Sequence, residues 1–98
     1  RVSIALMRAS SYISVGDAAS SRIRASGFFY DYDSDTPGHI ASNAGTFLDS
    51  PSSTSEQTYK MRILTSGGTA VVNKSSTDSD SSQGARTAST ITVMEVLA

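Results

Sequence analysis

The chain has 98 residues with a net charge of −1 and no cysteine, so it holds one small core, no disulfide and no thiolate metal site. Hydrophobic residues make up 38% and charged residues 17%, while Ser and Thr account for 30 of 98 positions. That polar dilution would fit a disordered chain, but charge-driven disorder needs a high net charge. Here the apolar residues instead fall into short runs, which points to an ordered, polar-surfaced β protein that needs partner subunits to complete its core.

The near-neutral balance argues against nucleic acid as a ligand, because phosphate binding draws on an excess of Lys and Arg. No run of about 20 apolar residues is present, so no helical membrane insertion is expected. The chain opens on Arg1 inside an apolar alternating run, which reads as a fragment of a longer polypeptide, or as a processed one. Residues 1–98 are expected to form a single domain.

In chain order, Val2 to Arg8 alternates, with Val2, Ile4 and Leu6 on one face and Ser3, Ala5 and Met7 on the other. Period two over seven residues predicts a strand with one face in a core. Tyr12–Val15 is a second strand, stopped by Gly16-Asp17, and Arg22–Ser26 a third. Gly27 marks a bulge or bend before the aromatic stretch Phe28 to Tyr32. Asp33 to Gly38 is a turn cluster, in which Pro presets one dihedral and Gly tolerates positive φ.

His39 to Leu48 has room for one or two short strands, and Asp49 to Ser55 is a loop in which Pro51 blocks a central strand. Thr58 to Leu64 puts Tyr59, Met61 and Ile63 on one face and Lys60 and Arg62 on the other. Ser66-Gly67-Gly68 signals a hairpin, with Thr69 to Asn73 returning. A polar loop follows from Ser75 to Gly84, long by loop-length priors, and Ser89 to Leu97 is the closing strand. No window reads as an amphipathic helix, because Ser, Thr, Gly and β-branched residues dominate throughout. The fold class is all-β, a jelly-roll-like antiparallel β-sandwich; patterning alone does not separate it from an immunoglobulin-like sandwich.

In the closing strand, Ile91, Val93, Glu95 and Leu97 share one face, and Thr92, Met94 and Val96 the other. A strand apolar on both faces is usually covered on both. A sandwich layer supplies one cover, so a second subunit is expected to supply the other. Ile91, Val93, Met94, Glu95 and Val96 are therefore the candidate subunit interface. Glu95 either pairs with an arginine (Arg8, Arg22, Arg24, Arg62 or Arg86) or is solvated at a frayed end.

Four strings carry a resemblance when taken together: Ile13 to Arg22, Thr46 to Pro51, Thr58 to Lys60, and Arg86 to Glu95. A fifth element, Asn73 to Asp80, lies between the last two. In this order they resemble the C-terminal domains of virion structural proteins from tailed bacteriophages, marine and cyanobacterial types especially. The resemblance spans roughly residues 13 to 98. It implies a jelly-roll head of the tumour-necrosis-factor and complement-C1q kind, a homotrimer on a fibre, spike or head appendage, located in the virion beside other virion proteins. Capsid decoration and glycan binding are the alternative roles.

Nothing in the sequence assembles an enzyme, and no cofactor is expected. A Ser–His–Asp triad around His39, the single histidine, lacks the Gly-x-Ser-x-Gly elbow. The two glutamates, Glu56 and Glu95, give no convincing acid pair for glycoside hydrolysis. Asp31, Asp33 and Asp35, with Asp78 and Asp80, offer oxygen ligands to calcium or are solvated loop carboxylates. Tyr30, Asp31 and Tyr32 are candidate contacts to a host-surface glycan or receptor, with Phe28 in phase; the same spacing also fits an inward-facing core strand.

Overall fold

The computed structural model describes residues 2–26, 42–75, 78–82 and 84–97. Three strands, β1 (Val2–Arg8), β2 (Ser11–Ile13) and β3 (Tyr59–Thr65), form one antiparallel sheet in the order β2-β1-β3. The described residues contain no helix. The all-β class therefore stands, as a small three-stranded sheet.

β1 takes the centre because it is apolar on both faces, as a strand flanked on both sides requires. Its pairing with β3 sets Ile4 opposite Ile63 and Leu6 opposite Met61, while Leu6 also faces Ile13 across β2. The expected alternation of Tyr59, Met61 and Ile63 against Lys60 and Arg62 is the register observed. The better-covered face, however, is the one carrying Ala5 and Met7, which are 0% and 6% exposed. Arg62 stands opposite Ala5, and Tyr12 stands opposite Met7. The Arg62 guanidinium carbon sits 5.6 Å from the Tyr12 ring centroid and its Nη1 donates to the Tyr12 hydroxyl, so the two side chains meet across β1. The short side chain of Ala5 leaves room for the Arg62 stem, which shields apolar surface while its head stays wet.

β2 is shorter than expected. It ends at Ile13 because Ser14 turns out of the strand with φ of 52°. Arg22 to Ser26 forms no strand, since Ser26 docks on β1 with its side chain in place of a ladder. Its N–H donates to Ile4 O at 2.9 Å, and its Oγ accepts from Leu6 N at 2.8 Å. The stretch 42–48 is also irregular, with Phe47 and Leu48 exposed.

The Gly67-Gly68 turn exists, with φ of 147° and 73°, but Thr69 to Asn73 does not return along β3. Asn73 and Lys74 pair with the 86–87 segment instead, through a Lys74–Arg86 bridge and a 2.9 Å bond from Thr87 N to Asn73 O. The closing segment 89–97 is likewise no strand, and its apolar side chains are exposed. The shape is correspondingly open: the Cα radius of gyration is 16.0 Å, against about 13 Å for a compact domain of this length.

Candidate interaction surface

Among the described residues, the segment expected to be a buried seam is an exposed apolar run. Ile91, Val93, Met94, Val96 and Leu97 are 52%, 60%, 82%, 79% and 85% exposed. The cover expected on one face from the chain's own core is therefore not formed. The segment follows an anchor: Ser89 Oγ donates to Asn73 Oδ1 at 2.5 Å, beyond which no backbone hydrogen bond to a described residue holds it. Glu95 takes part in none of the ion pairs among the described residues, which are Arg8–Asp49, Lys74–Asp78 and Arg86–Asp78. The arginines considered for it are engaged elsewhere in three cases: Arg8 and Arg86 with those aspartates, and Arg24 with Gly16 O at 2.7 Å.

A second exposed patch lies on the sheet. Met61 and Ile63 are 45% and 39% exposed beside half-buried Ile4, Leu6 and Ile13 on the same face. Lone apolar residues on a surface mean little, but a contiguous patch of this kind marks a contact face.

Two polar clusters were not legible beforehand. Asp49 accepts from Arg8 Nη1 at 2.6 Å and from the Tyr59 hydroxyl at 2.8 Å, which fixes the 42–58 connection to the end of β1 and the start of β3. Burial pushes the Asp49 carboxyl up, but the hydrogen bonds from Tyr59 and Arg8 together with the Arg8 charge outweigh it, and the pKa falls below 3.8. The shared bond raises Tyr59 above 10.0. The one sequence signal was an acid held between Leu48 and Pro51, which is weak.

Asp78 accepts from Lys74 Nζ at 3.0 Å and from Arg86 Nε at 3.0 Å and Nη2 at 3.2 Å. The Lys74 bond leads the causes that lower its pKa. Asp78, Ser79, Asp80, Ser81, Gly84 and Arg86 line a polar hollow of about 430 Å³. With its carboxylate held by two cations, Asp78 is a loop clamp rather than a free cation ligand. Among the described residues no group of three His, Cys, Asp or Glu side chains gathers to hold a metal.

The aromatic and acidic candidates Phe28, Tyr30, Asp31, Tyr32, Asp33 and Asp35, together with His39, lie outside the described residues. Four of the five segments named for the resemblance meet, in two pairs: 46–51 with 58–60, and 73–80 with 86–95. Asp49 meets Tyr59, Asn73 meets Ser89, and Asp78 meets Arg86. Comparison with protein families, curated proteins and solved structures finds no match to the chain.

Proposed function

We propose that the chain is a non-catalytic structural module of a tailed-bacteriophage virion, one subunit of a homotrimeric fibre, spike or appendage head of jelly-roll type. Its partners are two further copies and neighbouring virion proteins, with the host surface as the outer contact. The ordered motifs between residues 13 and 98 support the virus assignment. The assembly rests chiefly on one observation, the exposed apolar segment from Ile91 to Leu97. Leaving so much apolar surface in water forgoes roughly 25 cal/mol per Å² of burial, and a second subunit is what recovers it.

Sedimentation equilibrium is the first test. A trimer at micromolar concentration supports the reading, and a folded monomer across the accessible range removes it. Mass spectrometry of purified particles then separates a tail component from capsid decoration by co-fractionation with tails or with tail-less heads. A glycan array tests the outer contact, and silence across host polysaccharides leaves a purely structural part.

A further inference from the structure

We infer that the closing segment of one copy adds as an antiparallel strand to the outer edge of β3 in a second copy, with Glu95 opposite Lys60. The inference rests on the reading of the chain as a subunit of an assembly and specifies the contact.

The backbone directions of β3 follow from those of β1. Ile4 O and Leu6 N bond to Ser26, so Ile4 and Leu6 direct their backbone groups to the β2 side. Ala9 N donates to Thr58 O on the opposite side. By alternation Ser3, Ala5 and Met7 direct theirs to β3, where they face Leu64, Arg62 and Lys60. Tyr59, Met61, Ile63 and Thr65 therefore aim N–H and C=O groups outward, and no described residue outside the sheet bonds to them. An open edge beside an apolar face is a template for another strand.

The closing segment has matching chemistry. It alternates, it is apolar on both faces, and its one charge is negative. β3 carries two positive charges on a single face, Lys60 and Arg62. Arg62 is engaged with Tyr12, whereas Lys60 has no ion-pair partner among the described residues. Setting Glu95 opposite Lys60 puts Val93 opposite Arg62 and Ile91 opposite Leu64. It also puts Met94 opposite Met61 and Thr92 opposite Ile63, which extends the exposed apolar face of the sheet. A slip by one residue would drive Glu95 onto that apolar face and is disfavoured.

The occupant is a second copy because the chain's own segment, anchored at Asn73, stays exposed and off β3. A tail-to-edge contact is heterologous, so repetition closes a ring when the rotation fits, as it does in a trimer.

The absence of native cysteine makes the test clean. In the assumed register residues 60 and 95 form a non-hydrogen-bonded pair, whose side chains approach closely enough for a disulfide. Differently tagged Lys60→Cys and Glu95→Cys chains are mixed under oxidising conditions, alongside a control mixture of Asp17→Cys and Glu95→Cys. The expected result is a disulfide-linked heterodimer at least tenfold above the control. An assembly by sedimentation without that product overturns the edge pairing and leaves the subunit reading standing. A monomer removes both. A cross-link found only within single chains of a Lys60→Cys/Glu95→Cys variant at high dilution, and not between chains, assigns the segment to its own β3 and overturns the inference.

Discussion

The Asp49 carboxylate lies 2.6 Å from the Arg8 guanidinium, joining residues 41 positions apart at the point where β1 ends. Tyr59, cross-strand neighbour of Arg8, donates to the same oxygen. One acid thus joins the long connection to both major strands, and its protonation state becomes part of the fold.

That relationship fixes a two-sided pH dependence. Asp49 has a folded pKa below its ordinary 3.8, so the unfolded chain binds the proton more readily. Its stabilisation is complete above that ordinary value and is lost as pH falls through the lower folded one. Tyr59 is raised above 10.0, so its contribution is complete below that value and disappears as pH rises through the higher folded pKa. Thermal unfolding followed from pH 2 to 12 is expected to show both limbs. Asp49→Asn should lower Tm at neutral pH and flatten the acid limb; an acid limb of unchanged steepness would remove Asp49 as its source.

The Arg62–Tyr12 contact makes a separate prediction about the sheet. Arg62→Ala removes both the cation–π contact and the stem that crosses toward β2 above Ala5 and Met7. A loss of about 1 kcal/mol is expected, in the range for exposed cation–π pairs with some added packing. A double-mutant cycle with Tyr12→Ala should give a coupling of about 0.5 kcal/mol or more. Strict additivity in denaturant titrations would show that the two side chains act independently.

The β1–β2 hairpin is closed by Ala9-Ser10, and Ala9 adopts φ of 51°. Two-residue hairpin turns favour positive φ at this place, which an L-residue other than Asn or Asp adopts at a cost. Ala9→Gly is therefore expected to raise stability by about 0.5 kcal/mol, the relief of strain being partly offset by glycine's greater unfolded freedom. Chemical denaturation with an unchanged m-value checks it, and a fall in midpoint would count against the strain.

Legibility followed period and failed where side chains substitute for backbone. β1 and β3 could be read almost to their ends, because Val2 to Arg8 and Thr58 to Leu64 alternate without interruption. The β1–β2 turn could not, since Ala9-Ser10 lacks the Gly, Asn or Asp that marks the positive φ of a two-residue hairpin. Arg22 to Ser26 looked like a strand but docks on β1 through one residue, the N–H and hydroxyl of Ser26, a contact with no periodic signature. The chain bends at Gly67-Gly68, but the hairpin expected there does not form, because no strand returns along β3. Asn73 and Lys74 pair with the 86–87 segment in place of β3, and Asp78 bonds to both Lys74 and Arg86 beside that bridge. At the closing segment the apolar pattern was legible and its exposure was not, because pattern records what a strand needs covered and not which chain covers it.

The same clamp supplies the last prediction. Gly84 closes the Asp78 loop, and a Cβ there would collide with the Ser79 carbonyl, a backbone atom that cannot rotate away. Gly84 N also donates to Ser81 O at 2.9 Å, so the residue is held from both directions. Gly84→Ala must therefore open the loop, separating Asp78 from Arg86 and loosening the anchor at Asn73–Ser89. Asp78→Ala should reach the same end differently, by releasing Lys74 and Arg86 without a steric clash. Both variants are expected to speed limited proteolysis within residues 74–90 several-fold while leaving cleavage of β1 and β3 unchanged. Lys74→Ala alone should do less, because Arg86 contributes the two-bond contact. If Gly84→Ala accelerated cleavage and Asp78→Ala did not, the loop would be held by its backbone turn, and the ion pairs would be incidental.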